Sequence, residues 1–324
     1  SVAASWKKGH GGKKVVLNGH IDVVPASENW DTPPFTATEK DGRIYGRGTA
    51  DMKGGVAAML VAALEFVQKE FSGELVLNFV ADEERLNLGT LASLPYTQGA
   101  DYVVIGEPTL LELAIAHRGT IRFRVGFAGR SCHSGTPQDG LNAIENSSFG
   151  ILALKEYAKS LKRITHPVLP APTCVVTTIS GGETDNIVPG SCFITVDRRI
   201  IPGETKESTE KEIRDVLDAV KKEHAEFDYT LEPYLSLGSG EVEADSEIVR
   251  LASRAYRSAF GEDCRVRDFT ATCEQTIFTG KGMPAIIIGP GSIEQAHIRN
   301  EFIAVSQLEK AVLFYKAFLS AVLP

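Results

Sequence analysis

Short apolar runs alternate with longer segments of helical periodicity through the first third of the chain. Residues 13–19, 74–80 and 101–105 form three such runs, which predict buried β-strands. Between the first two, residues 53–70 predict a helix whose apolar face is formed by Val56, Leu60, Leu64 and Val67. Strands that alternate with helices are typical of a mixed, largely parallel sheet flanked by helices, so the predicted fold class is α/β.

The middle of the chain shows a second pattern, with the predicted order β-α-β-β-α-β. Its predicted strands are residues 120–127, 174–180, 192–197 and 227–233, and its predicted helices are residues 139–161 and 205–224. This order is the ferredoxin-like, split βαβ arrangement, which closes on itself as a domain. The first pattern resumes with a strand at 284–289 and a helix at 305–323. We therefore predict a discontinuous domain of residues 1–114 plus 234–324, and an inserted domain of residues 115–233.

Composition and charge narrow the class of protein. The 324 residues are 43% hydrophobic and 23% charged, as in globular proteins, and the net charge of -8 argues against a nucleic-acid partner. The five cysteines are odd in number and form no CxxC motif, which favours a reducing compartment and the cytoplasm. The first residues have no apolar core of signal-peptide length, and no apolar run approaches the ~20 residues that span a bilayer. We expect no membrane partner.

Imidazole and carboxylate side chains follow the ends of the predicted strands. The residues that do so are His20, Asp22, Asp82, Glu83, Glu84, Glu107 and His297, and a glycine-rich segment before the first helix adds Asp51. Each alone has a simpler explanation, since Asp51 is a plausible helix N-cap and adjacent carboxylates are usually just solvated. Together they meet at one edge if the sheet is parallel, because ligands gather at the carboxyl ends of such strands.

Oxygen and imidazole ligands without thiolates indicate a pair of divalent ions, with Zn expected and Co or Mn as alternatives. Two such ions would polarise a carbonyl group and lower the pKa of a bridging water. One carboxylate must then stay free to accept a proton from that water. Glu83 and Glu84 are adjacent and can divide these two tasks.

The chain resembles the co-catalytic zinc metallopeptidase family of acetylornithine deacetylase, succinyl-diaminopimelate desuccinylase, aminoacylase and glutamate carboxypeptidase. The resemblance runs from residue 17 to residue 301 through the following motifs, in the family's order: LNGHIDVVP, GRGTADMKGG, ADEE, IGEPT, GRSCHSGTPQDGLNAI, DNIVPG, VDRRIIPGE, IGPGS and AHIRNE. It implies that the discontinuous domain binds the metals and that the inserted domain serves as a lid and mediates dimerisation.

The resemblance also implies a role for each matching metal-site residue. Asp51 would bridge both metals, and the peptide bond after it would be cis. His20 and Glu107 would complete one site, and Glu84 and His297 the other. Asp22 would support His20. Glu83 would be the general base that activates the bridging water and passes its proton to the leaving amine.

Further roles follow for the substrate-facing residues. His133 would reach into the partner protomer's site of a homodimer and stabilise the oxyanion. Asn186 and Arg199 match substrate-contacting lid positions, and arginine suits a carboxylate because its fork binds both oxygens. Gly289 and Gly291 match a turn near the substrate carboxylate.

Two departures from the family pattern affect these expectations. Only nineteen residues precede His20, fewer than in relatives, so we expect either a trimmed start or disordered preceding residues that this sequence lacks. Residues 272–274 are Thr-Cys-Glu where many relatives have Thr-Asp, so specificity is not transferred.

The predicted function is hydrolysis of the amide bond of an N-acyl amino acid, of the deacetylase or desuccinylase type. The alternatives are a dipeptidase or glutamate carboxypeptidase type of metallopeptidase, and a non-catalytic homologue, although no ligand position is lost. A cysteine nucleophile, Cys132 with His133 as its base, is disfavoured because neighbours on an extended segment point in opposite directions.

Overall fold

A computed structural model describes all residues, 1–324, and contains fifteen strands and seven helices. The strands are β1 Val2–Lys8, β2 Lys13–His20, β3 Thr38–Lys40, β4 Arg43–Tyr45, β5 Gly73–Val80, β6 Tyr102–Ile105, β7 Leu113–His117, β8 Gly119–Ala128, β9 Thr173–Gly181, β10 Ser191–Ile200, β11 Tyr229–Leu237, β12 Gly240–Glu241, β13 Val266–Phe269, β14 Ala285–Ile287 and β15 Phe302–Ala304. The helices are α1 Gly54–Phe66, α2 Leu88–Thr97, α3 Ala143–Leu161, α4 Lys206–Glu223, α5 Glu247–Phe260, α6 Gln275–Thr279 and α7 Val305–Val322.

An eight-stranded mixed sheet forms the centre of the first unit, in the order β1-β5-β2-β6-β14-β7-β12, with β13 also paired to β7. The neighbours β5, β2, β6 and β14 are parallel to one another. Strand β1, which the hydrophobic pattern did not predict, adds an antiparallel edge to β5. The predicted α/β class with a largely parallel sheet is confirmed.

Helices cover both faces of this sheet. Alternate strand residues such as Val16 and Val76 pack with Phe278 of α6 and Leu94 of α2. Their neighbours Leu17 and Leu75 are also fully buried and point to the opposite face, because successive side chains of a strand alternate.

The predicted apolar face of α1 is wrong at two of its four positions, whereas Val67 is buried as predicted and Val56 is half-buried. Leu60 and Leu64 are exposed by 39% and 48%, respectively. The buried face is instead formed by mostly small residues, namely Gly54, Gly55, Ala58, Met59, Ala62, Ala63 and Phe66. Small side chains allow close approach of the backbone, so the tightly packed face of this helix is not the one with the largest aliphatic residues.

The chain divides into two compact units, residues 1–117 with 240–324, and residues 118–239. The second unit has the order β8-α3-β9-β10-α4-β11 and a four-stranded antiparallel sheet, β11-β8-β10-β9. Its core includes Phe123, Ile194 and Leu217, each fully buried. The second boundary lies beyond the predicted residue 233, because β11 continues through a register shift after Pro233 to Leu237.

A smaller three-stranded sheet, β15-β4-β3, belongs to the first unit. None of the helices is both long and apolar enough to cross a membrane. All five cysteines are free thiols.

Candidate dinuclear metal centre

The parallel strands β2, β5, β6 and β14 end at the same edge of the large sheet, and the predicted site residues follow these ends. His20 is the last residue of β2, while Glu83 and Glu84 follow β5. Glu107 comes two residues after β6. Strand register therefore brings together residues that are far apart in sequence.

Three buried side chains, those of His20, Asp51 and Glu107, form a first group. The Nε2 atom of His20 lies 3.0 Å from Oδ1 of Asp51 and 3.6 Å from Oε1 of Glu107. One potential ligand atom from each residue lies within 4.8 Å of the others, a spacing that suits coordination of one ion.

A second group consists of Asp51, Glu84 and His297. The Nε2 atom of His297 lies 3.0 Å from Oε2 of Glu84 and 3.4 Å from Oδ2 of Asp51. His297 is more than half exposed and has a left-handed backbone with φ of 63°, which for a residue other than glycine costs conformational energy. The surrounding loop therefore enforces the direction of this imidazole.

Asp51 is common to both groups and offers a different carboxylate oxygen to each. Its Oδ1 faces His20 and its Oδ2 faces His297, as a ligand shared by two ions must. The peptide bond between Asp51 and Met52 is cis. The turn that contains it, Thr49–Lys53, leads directly into α1.

The pKa shifts show that positive charge is stabilised at this edge. Burial opposes protonation of His20, but hydrogen bonding with Asp22 and Asp51 outweighs it and raises the pKa of His20 well above its usual range. Burial would raise the pKa of Asp51, yet His20 and His297 hold that pKa well below its usual range. Burial and the charge of Asp51 raise the pKa of Glu107. Divalent cations would supply the positive charge that balances these buried carboxylates, so the donor set fits two ions.

Asp22 links two of the strand ends. Its backbone oxygen lies 2.9 Å from Nδ1 of His20, closer than its carboxylate oxygen at 3.6 Å. The carboxylate accepts hydrogen bonds from the backbone amides of Glu83 and Glu84, each at 3.3 Å. These amides and His20 outweigh burial and lower the pKa of Asp22 to about 2. Asp22 therefore fixes both an imidazole and the acidic segment after β5.

Glu83 belongs to a third acidic group, with Glu107 and Glu274, in which one oxygen of each lies within 4.8 Å of the others. Glu83 is partly accessible, whereas Glu274 is completely buried. Burial, followed by the charge of Glu274, raises the pKa of Glu83 well above its usual range. A partly accessible carboxylate with a raised pKa is suited to accept and return a proton.

Glu274 was not among the predicted site residues. Its Oε1 accepts a hydrogen bond from Nδ2 of Asn18 at 3.0 Å, and Asn18 in turn accepts one from Asn78 at 2.8 Å. Its Oε2 is buried without a hydrogen-bond partner. The signal available in the sequence was the unusual Thr-Cys-Glu at 272–274, the position where many relatives have aspartate.

The predicted substrate-facing residues lie in both units. In the second unit, His133 and Asn186 are adjacent, because Ser134 donates its amide to the backbone oxygen of Asn186 at 3.0 Å. Arg199 lies near the end of β10, where its Nε donates to Oδ1 of Asp197 at 2.8 Å. Its remaining guanidinium nitrogens make no hydrogen bond that would block a bidentate contact.

Gly289 and Gly291 lie in the loop after β14, in the first unit. A Cβ atom on Gly289 would lie 2.2 Å from the backbone oxygen of Gly106, and one on Gly55 would meet the same oxygen at 2.2 Å. The segments after β6 and β14 and the start of α1 therefore touch through backbone alone. Gly291 has φ of 86°, a conformation that favours glycine.

Comparison with known proteins agrees with this geometry. Residues 16–321 match the model of the peptidase family M20/M25/M40. The chain belongs to this family. An acetylornithine deacetylase of Aliivibrio fischeri is 34% identical over 322 residues, which cover 96% of this chain and 82% of the relative. This M20/M25/M40 member is thus a hydrolase that acts on amide bonds.

Solved structures show the same fold. The aminopeptidase PepT of Bacillus cereus superposes with a TM-score of 0.83 at 21% identity, covering 99% of this chain and 84% of that one. A Bacillus subtilis protein described as a dinuclear metal-binding peptidase of family M20 gives a TM-score of 0.76 at 15% identity, covering 99% and 83%. The predicted family and fold class of this M20/M25/M40 chain are confirmed.

Proposed function

We propose that this chain removes the acyl group from an N-acyl amino acid, with an N-acetyl amino acid as the first candidate, by means of two divalent metal ions. The observation that carries the proposal is the shared Asp51, whose two oxygens face two separate imidazoles. His20 and Glu107 would complete one ion site, and Glu84 and His297 the other.

Bound ions, with zinc expected and cobalt or manganese as alternatives, would polarise the scissile carbonyl and acidify a water molecule. The chain's own residues supply the remaining chemistry. Glu83 takes a proton from the attacking water and passes it to the leaving amine nitrogen. Asp22 keeps Glu83 in place through its backbone amide and at the same time orients His20.

Several features support the N-acyl amino acid as substrate class. The curated relatives of comparable length that match at 32% to 34% identity are named acetylornithine deacetylases. Arg199 offers a free guanidinium edge for the substrate α-carboxylate. The alternative, a dipeptidase or a glutamate carboxypeptidase-type enzyme, uses the same metal chemistry on a different acyl group.

A substrate panel tests this assignment. The purified chain, loaded with zinc, cobalt or manganese, is assayed with N-acetyl and N-succinyl amino acids, dipeptides and glutamyl conjugates. We expect kcat/KM to be highest for an N-acetyl amino acid. Highest kcat/KM for an unblocked dipeptide would replace the deacetylase assignment by the dipeptidase.

We further propose that the second unit forms the interface of a homodimer and acts as a lid. His133 of the partner subunit would then stabilise the oxyanion that forms during hydrolysis. Support comes from β9, an edge strand of the four-stranded sheet with one side unpaired. Val175, Ile179 and Phe193 are exposed on or beside it by 52%, 57% and 38%. Exposed apolar edge strands pair readily with another chain.

The five free thiols favour the cytoplasm as the location.

Replacing Ile179 by lysine should convert the dimer into a monomer, because the charge would lie on the proposed interface. Light scattering after gel filtration measures the mass. We expect His133→Ala to remain dimeric and to lose about 10²–10³-fold in kcat, as for an oxyanion donor. A monomeric wild-type chain with full activity would contradict both roles.

A further inference from the structure

The carboxylate of Glu301 is completely buried and accepts four hydrogen bonds from one short segment. Its Oε2 accepts from Nη1 of Arg47 at 2.7 Å and from the amide of Gly48 at 3.0 Å. Its Oε1 accepts from the amides of Ala50 at 2.9 Å and Asp51 at 3.1 Å. The last of these donors is the backbone of the shared metal ligand.

Backbone contacts extend the same connection. The amide of Gly46 donates to the backbone oxygen of Glu301 at 3.0 Å, and Phe302 of β15 pairs with Tyr45 of β4. Residues 45–51 are thus registered against residues 301–302. His297 lies four residues before Glu301, so the same contacts set the distance between the Asp51 segment and the loop that carries His297.

Arg47 joins a third segment to this arrangement. Its guanidinium carbon lies 5.2 Å from the ring centroid of Trp30, and Nη2 donates to the backbone oxygen of Pro25 at 3.5 Å. Asn300, next to Glu301, accepts from the amide of Asp31 at 2.9 Å. The buried pair of Arg47 and Glu301 therefore lies where three loops at the edge of the metal centre meet.

Every partner of the Glu301 side chain is a donor, so the side chain at this position has to supply two acceptor oxygens. An amide in its place would direct an NH2 group at backbone N–H groups and leave buried donors unpaired. None of the four contacts involves the segments that carry His20 or Glu107. Asp51 belongs to both ligand groups, but the contacts of Glu301 connect its segment only to the loop that carries His297. A displacement between these two segments therefore changes the second ligand group, Asp51 with Glu84 and His297, most.

We propose that Glu301 is a positioning residue that holds Asp51 at the correct distance from His297 and so determines the affinity of the second metal site. This inference rests on the proposed two-metal function. It adds a residue that touches neither substrate nor metal and acts only through the backbone of a ligand.

The test measures metal binding directly and needs no substrate. Glu301→Gln, Glu301→Asp and the wild type are stripped with chelator and titrated with zinc, and zinc-soaked crystals are examined by anomalous scattering. We expect Glu301→Gln to weaken the binding of one of the two ions at least tenfold. A loss of affinity of about 10–100-fold is typical when a group that orients a metal ligand is replaced. Anomalous density should fall at the His297 group and persist at the His20 group.

Glu112→Gln is the matched control. Glu112 also pairs with arginine, at 3.1 Å from Arg265 and 2.6 Å from Arg267, in the same unit and with no contact to the ligand groups. We expect this variant to bind both ions as the wild type does. Hydrogen exchange should quicken in residues 46–51 of Glu301→Gln alone, a local change that general destabilisation would not confine there.

Wild-type affinity for both ions in Glu301→Gln, or equal losses in Glu112→Gln, would overturn the proposal. If Glu301→Gln yields no folded protein, Glu301→Asp provides the test, because aspartate keeps the carboxylate but has a shorter side chain. Wild-type metal affinity and wild-type hydrogen exchange in Glu301→Asp would also overturn the proposal. A wild-type chain that binds two ions but hydrolyses no panel member would refute the proposed substrate and leave the role of Glu301 standing.

Discussion

Glu83→Gln is expected to lower kcat by about 10²–10⁴-fold while both metal ions remain bound, which is the usual contribution of a general base. The substitution preserves the shape of the side chain and removes its ability to take a proton from water. Glu83 is the natural candidate because it is partly accessible and because burial and Glu274 raise its pKa. The variant should keep KM nearly unchanged, since the loss is confined to the proton-transfer step.

Steady-state kinetics and elemental analysis of the metal content measure this outcome. Glu70→Gln serves as the control, because Glu70 is a carboxylate of the same unit with a side chain that is 99% exposed. It should have wild-type kinetics. If Glu83→Gln retains more than a tenth of the activity, another group is the base; if it loses a metal ion together with activity, Glu83 is a ligand.

Asp51→Ala should cause the largest loss of metal. Because Asp51 is the one residue that belongs to both ligand groups, its removal deprives each ion of a carboxylate oxygen. His297→Ala should affect mainly the ion at the second group, and this exposed histidine therefore provides a graded comparison. We expect metal content after gel filtration to fall in the order wild type, His297→Ala, Asp51→Ala, with no measurable turnover in the last.

Thermal unfolding with and without zinc separates metal loss from misfolding. The metal-free wild type and metal-free Asp51→Ala should unfold at similar temperatures, and only the wild type should gain stability when zinc is added. Retention of both ions in Asp51→Ala would show that the two groups do not share a ligand.

The predicted ligands come together because strand ends are visible in the sequence and parallel strands end at one edge. His20 and Glu107 each follow an apolar run at a short interval, so topology alone makes them neighbours. Glu301 could not be recognised in this way. Its side chain accepts hydrogen bonds from four donors in a segment about 250 positions away. A contact over such a distance in sequence produces no periodic pattern of apolar residues that could reveal it.

The helix after Asp51 shows a second limit of pattern analysis. Its larger aliphatic residues, Leu60 and Leu64, predicted the wrong buried face, because periodicity weights residues by hydrophobicity and ignores how closely backbones pack. Strand β1 was also missed, since an exposed edge strand with polar residues has no apolar run. Both errors concern packing density and strand pairing, which depend on contacts distant in sequence and cannot be read from a local sequence pattern.

The contact of Gly55 and Gly289 with the oxygen of Gly106 has a consequence for altering substrate preference. Because these glycines have no side chain, the segments that carry Asp51 and Glu107 and the loop leading to His297 are in direct backbone contact. A Cβ atom at Gly55 or Gly289 would lie 2.2 Å from the backbone oxygen of Gly106, so the backbone there would have to shift and the candidate ligands on these segments would move with it. Redesign of specificity is therefore better directed at positions outside this glycine junction.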